Sequence, residues 1–196
     1  MVSMLRVGLT GGLATGKSFV GRTLRGLGCH LIQADELGHA VLAPGGEAHD
    51  AVLAEFGTVE RKQLAAQVFG RPERLARLNE LVHPPVIRRE EEWLRALEAD
   101  DPRAIAVVEA AILIETGSYK RFDKLILTVA SEAEQVRRAM DRDGATETEV
   151  RQRLARQMPL ADKRKFADYV IDTNGSKENT VLQVEAVYRD LRSLVS

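Results

Sequence analysis

Residues 5–18 read Leu-Arg-Val-Gly-Leu-Thr-Gly-Gly-Leu-Ala-Thr-Gly-Lys-Ser. The first part, Leu5–Thr10, is a short run of β-prone residues that stops at two glycines, as is typical of a buried strand. Lys17–Leu27 then carries apolar residues at helical spacing, and a second apolar run, Cys29–Ala34, follows it. Strand, glycine-rich loop, helix and strand in this order form a βαβ unit, which predicts a parallel sheet.

The loop of this unit matches the Walker A pattern Gly-x-x-x-x-Gly-Lys-Ser over residues 11–18. Glycines let the backbone turn its N–H groups toward a phosphate chain, and the helix that follows offers further donors and a positive dipole end. Lys17 is expected to reach the β- and γ-phosphates of ATP, and the Ser18 hydroxyl is expected to bind Mg²⁺. The predicted ATP-binding residues of the loop are Gly12, Leu13, Ala14, Thr15, Gly16, Lys17, Ser18 and Phe19.

Three later runs resume the strand pattern, at Ala104–Ala110, Lys124–Ala130 and Tyr169–Asp172. Helical segments separate them, so the chain is predicted to be an α/β protein with a five-stranded parallel sheet. Residues 36–97 are helical in pattern and hold no convincing strand. The pair Pro84-Pro85 is expected to bend the chain or to restart it after His83.

Two carboxylates end predicted strands and are candidate site residues. Asp35 closes the second strand, where it could accept a proton from an attacking hydroxyl or hold water on Mg²⁺. Alternatively, Asp35 could have a structural role as the N-cap of the helix that follows. Glu109 closes the next strand and could hold Mg²⁺ through water, or it could pair with a nearby backbone group or arginine. The residues alone leave both alternatives open.

Arginines are frequent after the fourth strand. A phosphoryl-transfer site needs cations that close over the γ-phosphate and neutralise the spreading charge. We expect one to three of these arginines to touch the nucleotide, with Arg142, just before Asp143-Gly144, as the best candidate. The full set is Arg137, Arg138, Arg142, Arg151, Arg153 and Arg156.

The composition is that of an ordinary globular protein. Of the 196 residues, 44% are hydrophobic and 29% are charged, and the net charge is −1. This balance gives no indication of a nucleic-acid partner. No apolar run reaches the ~20 residues of a membrane span, and the N-terminal one is too short for a signal peptide. We expect a cytoplasmic enzyme, most simply a monomer, with the single cysteine Cys29 in its core.

The ordered set of motifs resembles the dephospho-coenzyme A kinase family, over about residues 5–195. The Walker loop is generic, whereas the other segments in this order are more specific. They are Ile32-Gln-Ala-Asp35, Leu81-Val-His-Pro84, Glu109-Ala-Ala-Ile-Leu-Ile-Glu115, Arg138-Ala-Met-Asp-Arg-Asp143 and Ala167-Asp-Tyr-Val-Ile-Asp-Thr-Asn-Gly175.

The resemblance implies a P-loop kinase fold with a helical substrate-binding insertion and a small lid. It also implies transfer of the γ-phosphoryl of ATP to the 3′-hydroxyl of dephospho-coenzyme A, with Mg²⁺. Asp35 would be the acceptor-side carboxylate, His83 a substrate-binding residue and Arg142 the lid arginine, and Asn174 and Gly175 would border the adenine. The implied domains are residues 1–35, 98–136 and 158–196 as the nucleotide-binding core, 36–97 as the acceptor domain and 137–157 as the lid.

Four features depart from the pattern of that family. Ala14 stands where another glycine is usual, which is acceptable if its φ is negative. Phe19 replaces a frequent threonine, so the nucleotide affinity is expected to fall. Ala111 replaces the usual proline, and the segment 57–61 is shorter than is common.

Two other functions compete with this one. A kinase for a nucleoside monophosphate or another small alcohol would share the phosphate loop, but the His83-Pro84 segment argues against it. A nucleotide-binding switch would need a guanine-specifying Asn-Lys-x-Asp run, and the sequence has none.

Overall fold

The computed structural model describes residues 3–195. It is organised around a five-stranded parallel sheet. The strand order is β2-β3-β1-β4-β5, so that β1 lies at the centre and pairs in parallel with β3 and β4. This confirms the predicted α/β class and the predicted parallel sheet. The strands are β1 (Leu5–Gly11), β2 (His30–Gln33), β3 (Ile105–Glu109), β4 (Lys124–Val129) and β5 (Tyr169–Asp172).

Helices follow the strands along the chain. The helices are α1 (Lys17–Gly26), α2 (Ala34–Leu42), α3 (His49–Phe56), α4 (Arg61–Val68), α5 (Pro72–Asp100), α6 (Glu132–Asp143), α7 (Glu147–Leu154), α8 (Leu160–Lys163) and α9 (Lys177–Leu194). Short 3₁₀ turns lie at Ser118–Arg121 and Arg164–Phe166. Over residues 3–195, no helix is long and apolar enough to cross a bilayer.

The chain divides into two compact units. Residues 33–96 form one unit, and residues 3–32 and 97–195 form the other. The predicted domain limits stay a prediction; their core range also includes residues 1, 2 and 196, which lie outside the described residues.

In the larger unit, the sheet is packed between apolar helix faces. Val7 and Leu9 of β1 are fully buried together with Leu24 of α1 and Leu191 of α9. Burying such side chains contributes about 1.5–3 kcal/mol each, so this cluster fixes α1 and the loop before it against the centre of the sheet. The smaller unit has its own apolar cluster, in which Phe56 is among the buried side chains.

The structure corrects the interpretation of Pro84-Pro85. The helix α5 runs without a break from Pro72 to Asp100 and contains both prolines, so the chain does not restart after His83. Proline removes a main-chain N–H and usually breaks a helix, which is why the sequence suggested an end there. The long amphipathic segments on both sides evidently outweigh that local cost.

The second strand is shorter than predicted. It ends at Gln33, and Ala34 already begins α2, so that Asp35 is the second residue of a helix rather than the end of a strand. Gln33 is the N-cap, which rules out the alternative role of Asp35 as N-cap.

Cys29 lies in the core, as the sequence predicts. Its side chain is 4% exposed and belongs to the cluster around β1 and α1. Burial raises the pKa of the Cys29 thiol to about 12, although Arg192 opposes this shift. The thiol therefore stays protonated near neutral pH and is a poor nucleophile.

An ion pair with one fully buried member joins α8 to the segment after β3. The Lys163 side chain is fully buried, and its Nζ lies 2.6 Å from Oε1 of Glu115, whose side chain is 24% exposed. This Nζ has no other hydrogen-bond partner within residues 3–195. Lys163 therefore depends on Glu115 alone for compensation of its charge, whereas water can still reach Glu115.

We expect unequal effects from removing the two partners. Glu115→Gln leaves a buried ammonium uncompensated and should lower the free energy of unfolding by about 3 kcal/mol. Lys163→Met leaves only a hydrated carboxylate and should cost less than half of that. Urea denaturation of both variants and of the double variant checks this asymmetry.

Lys165→Met is the matched control, because Lys165 forms an exposed ion pair with Asp162. It should change the free energy of unfolding by less than about 1 kcal/mol. Equal decreases in the free energy of unfolding for Glu115→Gln and Lys163→Met would contradict the interpretation that Lys163 needs Glu115 more than Glu115 needs Lys163.

Candidate active site

The loop of residues 11–18 joins the end of β1 to the start of α1. Gly16 caps α1 in the left-handed conformation, with φ at 80°, which glycine adopts at little cost. Among the described residues, no side chain caps this helix, and Lys17 is its first residue. The loop therefore presents a helix N-terminus without a capping side chain, which is a favourable place for an anion.

Close packing explains the first glycine of the loop. A Cβ at Gly11 would lie 2.2 Å from Oγ1 of Thr128 in β4 and 2.5 Å from Oγ1 of Thr15, which is too close for any side chain. The two threonine hydroxyls lie 2.7 Å apart, and Oγ1 of Thr15 also donates to the carbonyl of Gly12 at 3.0 Å. The loop is thus fastened to β4 through a buried hydroxyl pair.

Three charged or polar groups meet below the loop. Nζ of Lys17 donates to the carbonyl of Gly12 at 3.0 Å and so lies folded over the loop. The Ser18 hydroxyl donates to Oε1 of Glu109 at 2.7 Å, and the Glu109 side chain is buried at the end of β3. The structure thus brings the predicted metal residues Ser18 and Glu109 into direct contact, next in sequence to Lys17, the predicted phosphate ligand.

A second contact to the loop comes from the segment after β5. Oγ1 of Thr173 donates to the carbonyl of Thr15 at 3.0 Å. Arg138 of α6 in turn donates to both Oγ1 and the carbonyl oxygen of Thr173. Asn174 accepts from the main-chain N–H of Ser131 at 2.7 Å, which ties this segment to the start of α6.

A cavity of about 470 Å³ opens beside the loop. Its lining includes Gly12, Gln135, Arg151, Gln157, Met158 and Leu160. Apolar walls with a few polar groups are typical of small-molecule sites.

Comparison with known proteins identifies the family of the chain. A family model described as dephospho-CoA kinase matches residues 5–179. The dephospho-CoA kinase of Shouchella clausii is 40% identical over 188 residues, which are 92% of this chain and 95% of that protein. The chain belongs to the dephospho-CoA kinase family. The dephospho-CoA kinase of Aquifex aeolicus is 37% identical over 196 residues, which cover 96% of this chain and 98% of the relative.

Solved structures share the fold of this chain. A crystal structure from Thermus thermophilus has a TM-score of 0.82 and 34% identity, covering 96% of this chain and 98% of that one. A dephospho-CoA kinase from Campylobacter jejuni has a TM-score of 0.70 at 23% identity, over 96% and 97% of the two chains, which shows the same fold. Together they confirm the predicted P-loop kinase fold.

Two predicted site residues belong to the smaller unit. Asp35 is exposed in the first turn of α2, where the helix dipole favours a negative charge. His83 is partly buried within α5, and burial lowers the pKa of its imidazole below the ordinary value. Their roles toward a dephospho-CoA kinase substrate stay predictions.

Arg142 lies at the exposed end of α6. Its side chain is 58% exposed and donates to both carboxylate oxygens of Asp143, at 2.6 and 3.0 Å. The hydrogen bond from Arg142, supported by one from Arg153, lowers the pKa of Asp143 to about 2. The role of Arg142 as the nucleotide-binding arginine also stays a prediction.

Several residues of this site carry no motif of their own. Thr128 and Thr173 hold the loop through buried hydroxyls, and Gln135 and Gln157 hold Leu13. Their only signal is proximity to strand ends or to helix ends, which becomes informative once the strand order is known.

Ala14 adopts a conformation that the sequence did not lead us to expect. Its φ is 55°, in the left-handed region, so the condition of a negative φ is not met. A residue with a Cβ loses about 1–2 kcal/mol in this region, so glycine would fit the position at lower cost.

We expect Ala14→Gly to raise the free energy of unfolding by up to about 1 kcal/mol. The relief of the left-handed penalty, about 1–2 kcal/mol, exceeds the entropy that glycine adds to the unfolded chain, about 0.4–1 kcal/mol. Chemical denaturation followed by circular dichroism measures the difference.

The matched control is Ala186→Gly on the exposed face of α9. It should lower stability by about 1 kcal/mol, because glycine is unfavourable inside a helix. A loss at both positions would show that Ala14 is not strained.

Proposed function

We propose that this chain transfers the γ-phosphoryl group of ATP to the 3′-hydroxyl of dephospho-coenzyme A, giving coenzyme A and ADP as the last step of coenzyme A synthesis. The observation that carries this proposal is the family membership over residues 5–179 together with an intact Walker loop. In the reaction, the acceptor oxygen loses its proton and bonds to the γ-phosphorus. The bond from that phosphorus to the bridging oxygen breaks, and ADP leaves.

The loop would bind the phosphates of ATP. The residues Gly12, Leu13, Ala14, Thr15, Gly16, Lys17, Ser18 and Phe19 form the predicted set, and the uncapped start of α1 supports this assignment. Lys17 would exchange its contacts with loop carbonyls for contacts with phosphate oxygens. Asn174 and Gly175 would border the adenine.

The groups around Ser18 fit Mg²⁺. Magnesium prefers oxygen ligands and keeps several waters, so one hydroxyl and the phosphates suffice as direct ligands. Ser18 would bind the metal directly, and Glu109, whose carboxylate receives the Ser18 hydrogen bond, would hold one of its waters. When bound, the metal neutralises charge on the phosphates.

The acceptor would depend on Asp35 and His83. An exposed carboxylate can accept a hydroxyl proton or orient the hydroxyl for attack. His83 would contact the acceptor. The expected setting is cytoplasmic and monomeric, without a nucleic-acid or membrane partner.

The central test measures ADP release with Mg²⁺ and four acceptor conditions: dephospho-coenzyme A, AMP, adenosine and no acceptor. We expect release only with dephospho-coenzyme A. Release driven by AMP would indicate a nucleoside monophosphate kinase, and slow release without any acceptor would indicate a nucleotide switch.

Two substitutions separate phosphate binding from acceptor activation. Lys17→Ala should lower kcat at least about a hundredfold, because it removes a cation from the transferring phosphate. Asp35→Asn should lower kcat by about 10²–10⁴ while ATP affinity, measured by calorimetry, stays nearly unchanged.

Asp50→Asn is the control for Asp35→Asn. Asp50 is likewise the exposed second residue of a helix, α3, so both variants remove one charge from a first helical turn. Only Asp35→Asn should lose turnover, and intact turnover in that variant would refute the role of Asp35.

A third comparison tests Arg142. Arg142→Ala should lower kcat by about 10²-fold, because a cation over the γ-phosphate is lost. Arg137 lies on the same helix, is 60% exposed and is also ion-paired, so Arg137→Ala serves as its control. Unreduced activity of Arg142→Ala in the ADP-release assay would remove Arg142 from the site, and a comparable loss in Arg137→Ala would add Arg137 to it.

A further inference from the structure

Two glutamines from different segments hold one residue of the phosphate loop. Nε2 of Gln135 donates to the carbonyl oxygen of Leu13 at 2.7 Å. Oε1 of Gln157 accepts from the main-chain N–H of Leu13 at 2.9 Å. Both main-chain polar groups of Leu13 are thereby bound by side chains that lie far away in the sequence.

Gln135 is built tightly into this place. Its side chain is only 4% exposed, and a Cβ at Gly12 would lie 2.8 Å from its Nε2. A side chain at position 12 would therefore crowd the amide that reaches Leu13. A buried amide needs a hydrogen-bond partner, because an unpaired buried polar group lowers the stability of the fold. The Leu13 carbonyl oxygen is such a partner for Gln135.

Apolar contacts support the same junction. Leu13 and Ala14 pack against a cluster whose buried members are Val136, Ala139 and Val150, from α6 and α7. Two successive loop residues are thus held by hydrogen bonds and by packing. Ala14, whose φ is left-handed and strained, directly follows Leu13. Such backbone strain persists only where the surrounding structure holds the residue in place.

The two glutamines also flank the predicted lid. Gln135 lies just before residues 137–157, and Gln157 is the last residue of that range. Both ends of the segment that is expected to cover the nucleotide are therefore tied to the loop that is expected to bind its phosphates.

We infer that Gln135 and Gln157 are positioning residues for the proposed phosphoryl transfer, on which this inference rests. By fixing both main-chain groups of Leu13, they orient the loop so that its following N–H groups face the phosphate chain. Neither side chain needs to touch ATP for this role. The effect should therefore appear in nucleotide affinity and not in acceptor affinity.

The first test removes each hydrogen bond without changing side-chain length or charge. Gln135→Met and Gln157→Met should each raise the Kd for ADP and the KM for ATP about fivefold to tenfold, the effect expected for one lost buried hydrogen bond. The KM for dephospho-coenzyme A should stay within roughly twofold. Gln152→Met, on the exposed face of α7, is the matched control and should change neither constant.

The second test uses hydrogen-bond polarity. Gln135→Glu turns a donor toward the Leu13 carbonyl into an acceptor, whereas Gln157→Glu keeps an acceptor for the Leu13 N–H. Both add one negative charge beside the same residue, so any repulsion of the phosphates is similar in the two variants. We expect the Kd for ADP to be at least about fivefold higher in Gln135→Glu than in Gln157→Glu.

Melting temperatures are measured for all variants to detect general destabilisation. A destabilised variant would have a smaller active fraction but an unchanged KM, whereas a variant that has lost the positioning role would have a higher KM for ATP. Unchanged ADP affinity in both Met variants, or equal affinity in the two Glu variants, would overturn the inference. ADP binding needs no turnover. A chain that binds ADP with the expected pattern but phosphorylates no acceptor would therefore refute the proposed function and keep the two glutamines as positioning residues of the nucleotide site.

Discussion

The site depends on the close approach of β1 and β4 at Gly11, which leaves no room for a side chain. A side chain there would collide with the hydroxyls of Thr128 and Thr15, so the chain must pass at this point as bare backbone. The close approach lets the two hydroxyls meet at 2.7 Å and fixes where the loop leaves the sheet. The direction of α1, and with it the position of Lys17, follows from that exit point.

The strand order then decides which residues can support the loop. Because β1 is central and its neighbours run parallel to it, their carboxyl ends meet at one edge. Glu109 of β3 contacts Ser18, whereas Thr128 of β4 contacts the hydroxyl of Thr15 and Thr173, just after β5, contacts the carbonyl of Thr15. The predicted phosphate site is therefore built by several strands of the sheet and not by the motif alone.

The sequence was sufficient for features that depend on local pattern. The strands were predictable because each apolar run is bounded by glycine or a polar residue, and Ser18 and Glu109 were placed by a motif and a strand end. The continuation of the long helix through Pro84-Pro85 was not predictable, because the packing of this helix outweighs the local effect of the two prolines. The bonds of Gln135 and Gln157 to Leu13 span more than a hundred residues, so no spacing rule indicates them.

The uncapped start of α1 has a consequence for the fate of the protein in a cell. A helix end capped by glycine, without a capping side chain, gives up roughly a few tenths of a kcal/mol that a serine or aspartate would supply. A bound nucleotide would return this and more: a ligand at a hundred times its Kd adds about 2.7 kcal/mol to the folded state. The resistance of this chain to unfolding and to proteolysis would then rise with the nucleotide occupancy of the loop, whether ATP or ADP fills it.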